Sequence, residues 1–252
     1  MSEDVLYLTK NPKKYSPLFK LAEQNPLLNT IWRDVYQDDF PELLETFGFV
    51  TNTDLQLICE LINLQPNHTL LDIGCGKGGP GLFVADQTNA NLIGMDIDEG
   101  AITLAKALQQ RLKLNPGLHP PANFKLGSFT ETALAAASVD AIMSIDALIL
   151  VPNKQQAIDE MARVLKPGGR FIFTTWDRPE HDLDVMLKRS GFKLICHHQT
   201  PDWKTRQIAV YQSILRHQNE LKQQLGEAAS AILISEASAA PALLEIASRV
   251  VI

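Results

Sequence analysis

The run Leu70-Leu71-Asp72-Ile73-Gly74-Cys75-Gly76-Lys77-Gly78-Gly79 decides the fold. Thr69–Ile73 is a short apolar segment that runs into glycines, and Pro80 then opens a helix at Gly81-Leu82-Phe83-Val84-Ala85. A buried strand, a glycine turn and a helix in that order let the backbone pass close to a ligand. The helix N-terminus turns free N–H groups toward it. Outward from this run, strand-like and helix-like segments alternate. Asn91–Asp96 is a second apolar run, followed by Ile102, Ala105, Leu108 and Leu112 at near-helical spacing, with Asp98 placed as a cap. Asn123–Leu126 reads as a third strand and Val139–Ile145 as a fourth. Asn153 stands as an N-cap before the stripe Ile158, Met161, Ala162, Leu165, the pattern of a helix laid on a sheet. Pro167-Gly168-Gly169 ends that helix and opens a fifth strand, Arg170–Trp176; Ser190-Gly191 precedes a sixth, Phe192–His198. Strands separated by crossover helices predict an α/β, doubly wound, mainly parallel sheet with helices on both faces.

The flanks differ from this core. Residues 1–63 hold no convincing strand; Asn25-Pro26 and Phe40-Pro41 punctuate short helical pieces, and Thr53–Leu64 is a better helix. After Thr200-Pro201 helical spacing returns at Ile208, Tyr211, Leu215, Leu221 and Leu225, with Gly226 as a stop. A second helix, Glu227–Ala239, breaks before Pro241, and Arg249–Ile252 looks like a single strand returning to the sheet. The expected organisation is a helical N-terminal segment over 1–63, a core over 64–199, a helical insertion over 200–248 and the returning strand at 249–252.

Composition bounds the function classes. The chain has 252 residues, 45% hydrophobic and 21% charged, proportions of an ordinary globular protein and not of a disordered or repetitive one. Its net charge of −6, from 23 basic and 29 acidic residues, argues against a partner dominated by phosphate charge, so no nucleic acid is expected. Lys10, Lys13, Lys14 and Lys20 form the one notable basic cluster and read as a solvated face. Three widely spaced cysteines, Cys59, Cys75 and Cys196, fit no disulfide framework or zinc pattern; together with an acidic start lacking an apolar signal core, they predict a reduced, cytoplasmic protein. No uncharged run approaches the roughly 18 apolar residues of a membrane span.

Asp72 decides between ligands for the turn. Gly74, Gly76 and Gly79 satisfy the G-x-G-x-x-G dinucleotide pattern, a weak signal alone. A pyrophosphate held there would face the Asp72 carboxylate, and like charges about 4 Å apart repel by roughly 4 kcal/mol at an effective dielectric of 20. A ligand with an ammonium group would welcome that charge. Asp96 ends the second strand, where a carboxylate can accept two ribose hydroxyl hydrogens. An adenosyl group joined to an amino acid meets both demands, which describes S-adenosylmethionine and not NAD.

With LLDIGCGKGGPG, IGMDID ending its strand at Asp96, and VDAIMSIDAL…MARVLKPGGRFIFTTWD, the chain resembles a class I S-adenosylmethionine-dependent methyltransferase over about residues 64–199. It is most similar to the small-molecule branch that contains quinone, sterol and tocopherol methyltransferases and natural-product tailoring enzymes. The resemblance implies a Rossmann-like seven-stranded sheet whose last strand, RVVI, is antiparallel, and a lid made by the N-terminal helices. It implies that Asp72, Gly74 and Gly76, with Cys75 as a snug small side chain between them, line the methionine end of the cofactor. Asp96 is then the ribose ligand and Ile97 flanks the adenine. Ser128 and Phe129 fall near the adenine amine, where Gly127-Ser128 replaces the commoner glycine–aspartate.

Methyl transfer is an in-line displacement at an activated carbon. Holding the nucleophile about 3 Å from the methyl removes roughly 7–11 kcal/mol of barrier. A general base adds about 10²–10⁴-fold where the acceptor must lose a proton. Asp146, ending the fourth strand beside the expected sulfonium, either orients the acceptor and takes its proton or fixes the loop backbone. Trp176 and Asp177 end the fifth strand and border the acceptor pocket, with core packing the rival role for Trp176. Trp32 and Tyr36, four apart on one helix face, roof the site or simply pack. His181 is the histidine placed as a candidate base; His197 and His198 are adjacent in a strand and point to opposite faces, and no metal-ligand cluster stands out. The expected partner is a small-molecule methyl acceptor, partly apolar, with a homodimer face as one use of the late helices. The rival readings are a methyltransferase for RNA or protein, a non-catalytic adenosyl-binding protein and, more distantly, an NAD-dependent oxidoreductase.

Overall fold

The apolar runs Thr69–Ile73 and Val139–Ser144 become central strands because nearly every residue in them is buried, on both faces. The computed structural model describes Leu18 and residues 25–44, 48–114, 121–177, 182–245 and 247–252. In chain order its elements are α1 Pro26–Tyr36, α2 Asn52–Leu61, β1 Thr69–Ile73, α3 Gly79–Thr88, β2 Asn91–Asp96, α4 Glu99–Leu114, β3 Ala122–Leu126 and β4 Val139–Ser144. There follow α5 Lys154–Val164, β5 Leu165–Asp177, α6 Leu183–Arg189, β6 His198–Gln199, α7 Trp203–Arg216, α8 Gln218–Leu244 and β7 Ser248–Val251. One seven-stranded sheet runs in the order β3-β2-β1-β4-β5-β7-β6. β1 to β5 pair in parallel, and β7 lies antiparallel between β5 and β6. The order turns back between β1 and β4, so the crevice at their carboxyl ends is where such a sheet binds ligands.

Alternation along the strands divides the core in two. Leu70, Leu92, Phe124 and Met143 face Leu55, Ile58 and Ala105 on one side. Leu71, Ile73, Ile142 and Phe173 face Ile158, Met161 and Val164 of α5 on the other. A third cluster lies apart from both and joins the N-terminal helix to the late insertion: Trp32, Tyr36 and Phe49 pack with Trp203, Tyr211, Leu225 and Leu233. The caps are the expected ones, with Asp98 Oδ1 accepting from Ala101 N and Asn153 Oδ1 from Gln156 N.

Three expectations change. The sixth strand is His198–Gln199 and not Phe192–His198. Phe192 and Leu194 do pack on the sheet's core, so their alternation marks burial. The ladder forms only where β7 offers a partner, at Val251 and Val250. His197 therefore lies outside the strand, and both histidines are exposed. The fifth strand begins at Leu165, passing through Pro167-Gly168-Gly169 with a register shift between Val139 and Ala141. Late in the chain the helices divide at His217 and bend at Gly226, whose φ of 75° and ψ of 168° are non-helical, but helix continues through Pro241 to Leu244. Proline there removes one N–H donor, and the buried Ala237, Ala240 and Leu244 hold the last turns in place. Gln218–Leu244 is also long and apolar enough to cross a membrane by length and composition, and 39% of its most apolar window is buried inside the protein.

Candidate functional site

The glycine turn is tied to β2 before any side chain acts. Gly74 N and Cys75 N both donate to Met95 O, at 2.8 and 2.9 Å. Gly74 has φ 72°, and a Cβ there would stand 2.5 Å from that of Ala147, so only glycine lets the turn lie this close to the loop after β4. A Cβ on Gly79 would collide with the Leu44 carbonyl, so the N-terminal segment lies directly on the start of α3.

Asp72 sits beneath this turn with 1% of its surface exposed, and its Oδ1 has no hydrogen-bond partner among the described residues. Burial, and then the charge of Asp96, push its carboxyl up to about 7, against the pull of a hydrogen bond from the Gly81 backbone. A buried carboxyl poised near neutrality with one oxygen orphaned suits a cationic neighbour. Asp96 ends β2 with both oxygens held from behind, Oδ2 by Gly76 N and Oδ1 by Asp98 N, each at 2.9 Å. Burial raises its pKa as well. Each oxygen keeps a further lone pair, enough for two vicinal hydroxyls. Ile97 beside it is 37% exposed, an apolar surface at the crevice edge. Phe129 is buried against Gly74, while the Ser128 hydroxyl lies 3.3 Å from that of Thr130 within its own turn. Cys75 is buried in the core and its thiol is pushed well above its usual range by burial, so it stays protonated and inert.

Above the turn, the N-terminal segment reaches the end of β4 through a chain of contacts. Trp32 Nε1 donates to Gly48 O at 2.7 Å, and Phe49 N donates to Asp146 Oδ2 at 3.2 Å. The Phe49 ring lies 6.2 Å from Trp32, 6.5 Å from Trp176 and 5.5 Å, edge-on, from Tyr211 of α7. Asp146, at φ 51°, donates its N–H to Thr174 Oγ1 at 2.8 Å, and that hydroxyl donates to Asp146 Oδ1 at 2.7 Å. Arg249 Nε stands 3.4 Å from the same Oδ1. Arg249 is 1% exposed; its Nη1 also donates to Asp54 Oδ2 at 2.8 Å and to Thr200 Oγ1 at 2.9 Å. Burial disfavours its charge, but Asp146 and Asp54 outweigh that and hold the guanidinium protonated.

The structure thus brings Asp72, Gly74, Gly76, Asp96, Ile97 and Phe129 together at the glycine turn, with the Cys75 side chain turned into the core, and Trp32, Trp176 and Asp146 around the Phe49 ring and backbone. Tyr36 is buried on the same face of α1, under the Arg206 guanidinium, with its hydroxyl pKa raised by burial. Asp177 pairs with Ser248 at the end of β5, and His181 lies outside the described residues. Sequence reading passed over Phe49, Thr174 and Arg249. The available signal was a polar residue inside an apolar strand run, Thr174 in FIFTTW and Arg249 in SRVV.

A family model described as a methyltransferase domain matches residues 64–229. The chain belongs to the methyltransferase domain family. Its relatives include 24-methylenesterol C-methyltransferase 2 of Oryza sativa subsp. japonica, 32% identical over 139 residues, or 52% of this chain and 37% of that enzyme. Methyltransferase GfsG of Streptomyces halstedii is 33% identical over 152 residues, 59% of this chain and 53% of that one. The chain thus spans between about a third and a half of the length of these two relatives. Among solved structures, the cyclopropane synthase MmaA2 of Mycobacterium tuberculosis shares the fold with a TM-score of 0.68 at 14% identity, covering 96% of this chain and 98% of that one. The fold therefore does not name the reaction. The cofactor of this methyltransferase domain is S-adenosylmethionine, and the residues present fit it: an orphaned carboxylate oxygen under the turn for a cationic amino-acid end, and a doubly braced carboxylate for a ribose.

Proposed function

We propose that this protein transfers the methyl group of S-adenosylmethionine to an O, N or C atom of a small, partly apolar acceptor. The observation that carries the reading is the hydrogen bond from Phe49 N to Asp146. Through it an aromatic layer, drawn from α1, Phe49, β5 and α7, is fastened to the sheet's carboxyl edge beside the glycine turn. The cofactor, when bound, supplies an activated methyl on its sulfonium. Asp72 and Asp96 hold its two ends, and Trp32, Phe49, Trp176 and Tyr211 exclude water and grip an apolar acceptor body. Asp146 already accepts hydrogen bonds from Thr174 and Phe49 and faces the Arg249 charge, so both its oxygens are engaged within the protein. Its work is to fix the lid and the end of β4, leaving proximity to lower the barrier. The unpaired Cys59, Cys75 and Cys196 support a reducing, cytoplasmic setting.

The test uses cofactor labelled in its methyl group, incubated with the protein and a cell metabolite extract. Label transferred to a small organic metabolite supports the reading; label on RNA or protein alone transfers it to the macromolecular rival. Calorimetry adds the cofactor arm, with S-adenosylhomocysteine expected to bind in the micromolar range. Binding of NADH in its place would end the assignment.

A further inference from the structure

Gln207 lies in the middle of α7's buried stripe. Trp203, Gln207 and Tyr211 follow one another at intervals of four residues, with Val210 and Ile214 beside them, and all five are buried. Residues four apart on a helix have Cβ atoms roughly 6 Å from each other, so the amide is flanked by an indole and a phenol on the buried face of a helix that packs against both α1 and α8. Gln207 is 0% exposed, and neither its Oε1 nor its Nε2 has a hydrogen-bond partner among the described residues. Its neighbours in the same layer are paired. Trp32 Nε1 reaches Gly48 O at 2.7 Å, and Tyr211 Oη reaches Glu236 Oε1 at 3.3 Å. Folded interiors pair nearly all such atoms, and an amide enclosed in apolar surroundings with neither end satisfied is a standing cost.

Asp72 Oδ1, under the glycine turn, lacks a hydrogen-bond partner too, as do Ser144 Oγ, Gln155 Oε1 and Arg249 Nε, but Gln207 is the one side chain among the described residues with both a donor atom and an acceptor atom left over. We propose that Gln207 is the polar recognition group of the acceptor pocket, and that the acceptor is a ring-bearing apolar molecule with a hydroxyl or carbonyl group that pairs with this amide. The inference rests on the methyltransferase reading and deepens it. An amide offers one donor and one acceptor side by side, so it selects a hydroxyl, which can both give and take, or a carbonyl, which takes from Nε2. A buried amide built to pair with such a group rejects the analogue that lacks it, because the amide then stays orphaned. Tyr211, one turn further along α7, touches Phe49, whose N–H holds Asp146. The polar group of the acceptor would thus be read from α7 while its ring lies on the aromatic layer.

Two measurements test this on the full chain with S-adenosylhomocysteine present. First, Gln207→Leu and Gln207→Met should both raise Tm, by roughly 2–6 °C, because each removes an unsatisfied amide at similar volume. Second, 2-naphthol should quench tryptophan fluorescence with at least tenfold tighter binding than naphthalene in the natural protein, and the preference should vanish in Gln207→Leu. A lowered Tm in both variants shows the amide to be structural and overturns the proposal. So does equal binding of the two probes, or binding of neither. S-adenosylhomocysteine affinity separates the two readings: its absence removes the methyltransferase assignment itself, whereas intact affinity with a flat probe preference removes only the role of Gln207.

Discussion

Asp72 shows how one buried carboxyl couples cofactor binding to pH. Its folded pKa of about 7 lies above the ordinary carboxylate value of 3.8, so between those pH values the folded, cofactor-free protein binds more protons than the unfolded chain. Its stability therefore falls as pH rises through that window, and above about 7 the full penalty of the buried charge is present. Asp72→Asn removes the penalty. Its cofactor-free Tm at pH 8 should exceed that of the natural protein by at least 2–4 °C in a thermal melt, the shift that about 1 kcal/mol gives a chain of this size. The same variant should lose tenfold or more in affinity for S-adenosylhomocysteine. In the natural protein a cationic ligand favours the ionised carboxyl, so affinity should rise between pH 6 and 8 with proton release on binding. Calorimetry in two buffers of different ionisation heat reads that release. The positions of Asp72 and Asp96 were legible because two apolar runs place them near the carboxyl ends of adjacent strands. Arg249 was not: its partner Asp54 is 195 residues away, and no local pattern announces a contact of that span.

The elements were legible wherever hydrophobic period and punctuation agreed. β1 and β2 have the expected bounds, Thr69–Ile73 and Asn91–Asp96, because apolar runs end at a glycine and at a capped helix. β6 was misread because alternation reports burial and cannot report whether a partner strand exists. The N-terminal segment was legible as helix but not as to where it rests. Leu44, at the end of a single turn, presses its carbonyl on Gly79, and Gly48-Phe49 lies over Asp146, where a Cβ on Gly48 would stand 3.6 Å from Oδ2. Gly79→Ala should therefore lift this segment. Limited proteolysis should then cut between residues 38 and 50 faster than in the natural protein, while the sheet's amide protection stays unchanged. Phe49→Ala should remove the ring that joins three other aromatics, at about 3–5 kcal/mol in chemical denaturation. The acceptor's KM should rise more than S-adenosylhomocysteine affinity falls.

Among the described residues, segments from both flanks and the core meet at one buried guanidinium. Arg249 stands on β7, the strand that closes the sheet after the late helices. It holds Asp54 at the start of α2, Asp146 at the end of β4 and Thr200 at the entry to the insertion. Asp54 in turn completes the capping box of α2 with Thr51. Segments from both flanks and the core therefore converge on one cation facing two carboxylates. Such a knot contributes little net stability compared with apolar residues of equal volume, but breaking one side leaves charges buried and unpaired. Arg249→Met should accordingly cost about 3–5 kcal/mol in denaturant unfolding. Adding Asp54→Asn and Asp146→Asn to it should recover most of that loss, because no uncompensated charge remains. The recovered protein should still bind S-adenosylhomocysteine, since Asp72 and Asp96 are untouched, yet turn over acceptor poorly, since an amide at position 146 has one acceptor oxygen where the carboxylate held Phe49 N and the Thr174 hydroxyl with two. Recovery of both stability and turnover would show that the ionic knot is dispensable and that the N-terminal segment finds its seat through aromatic packing alone.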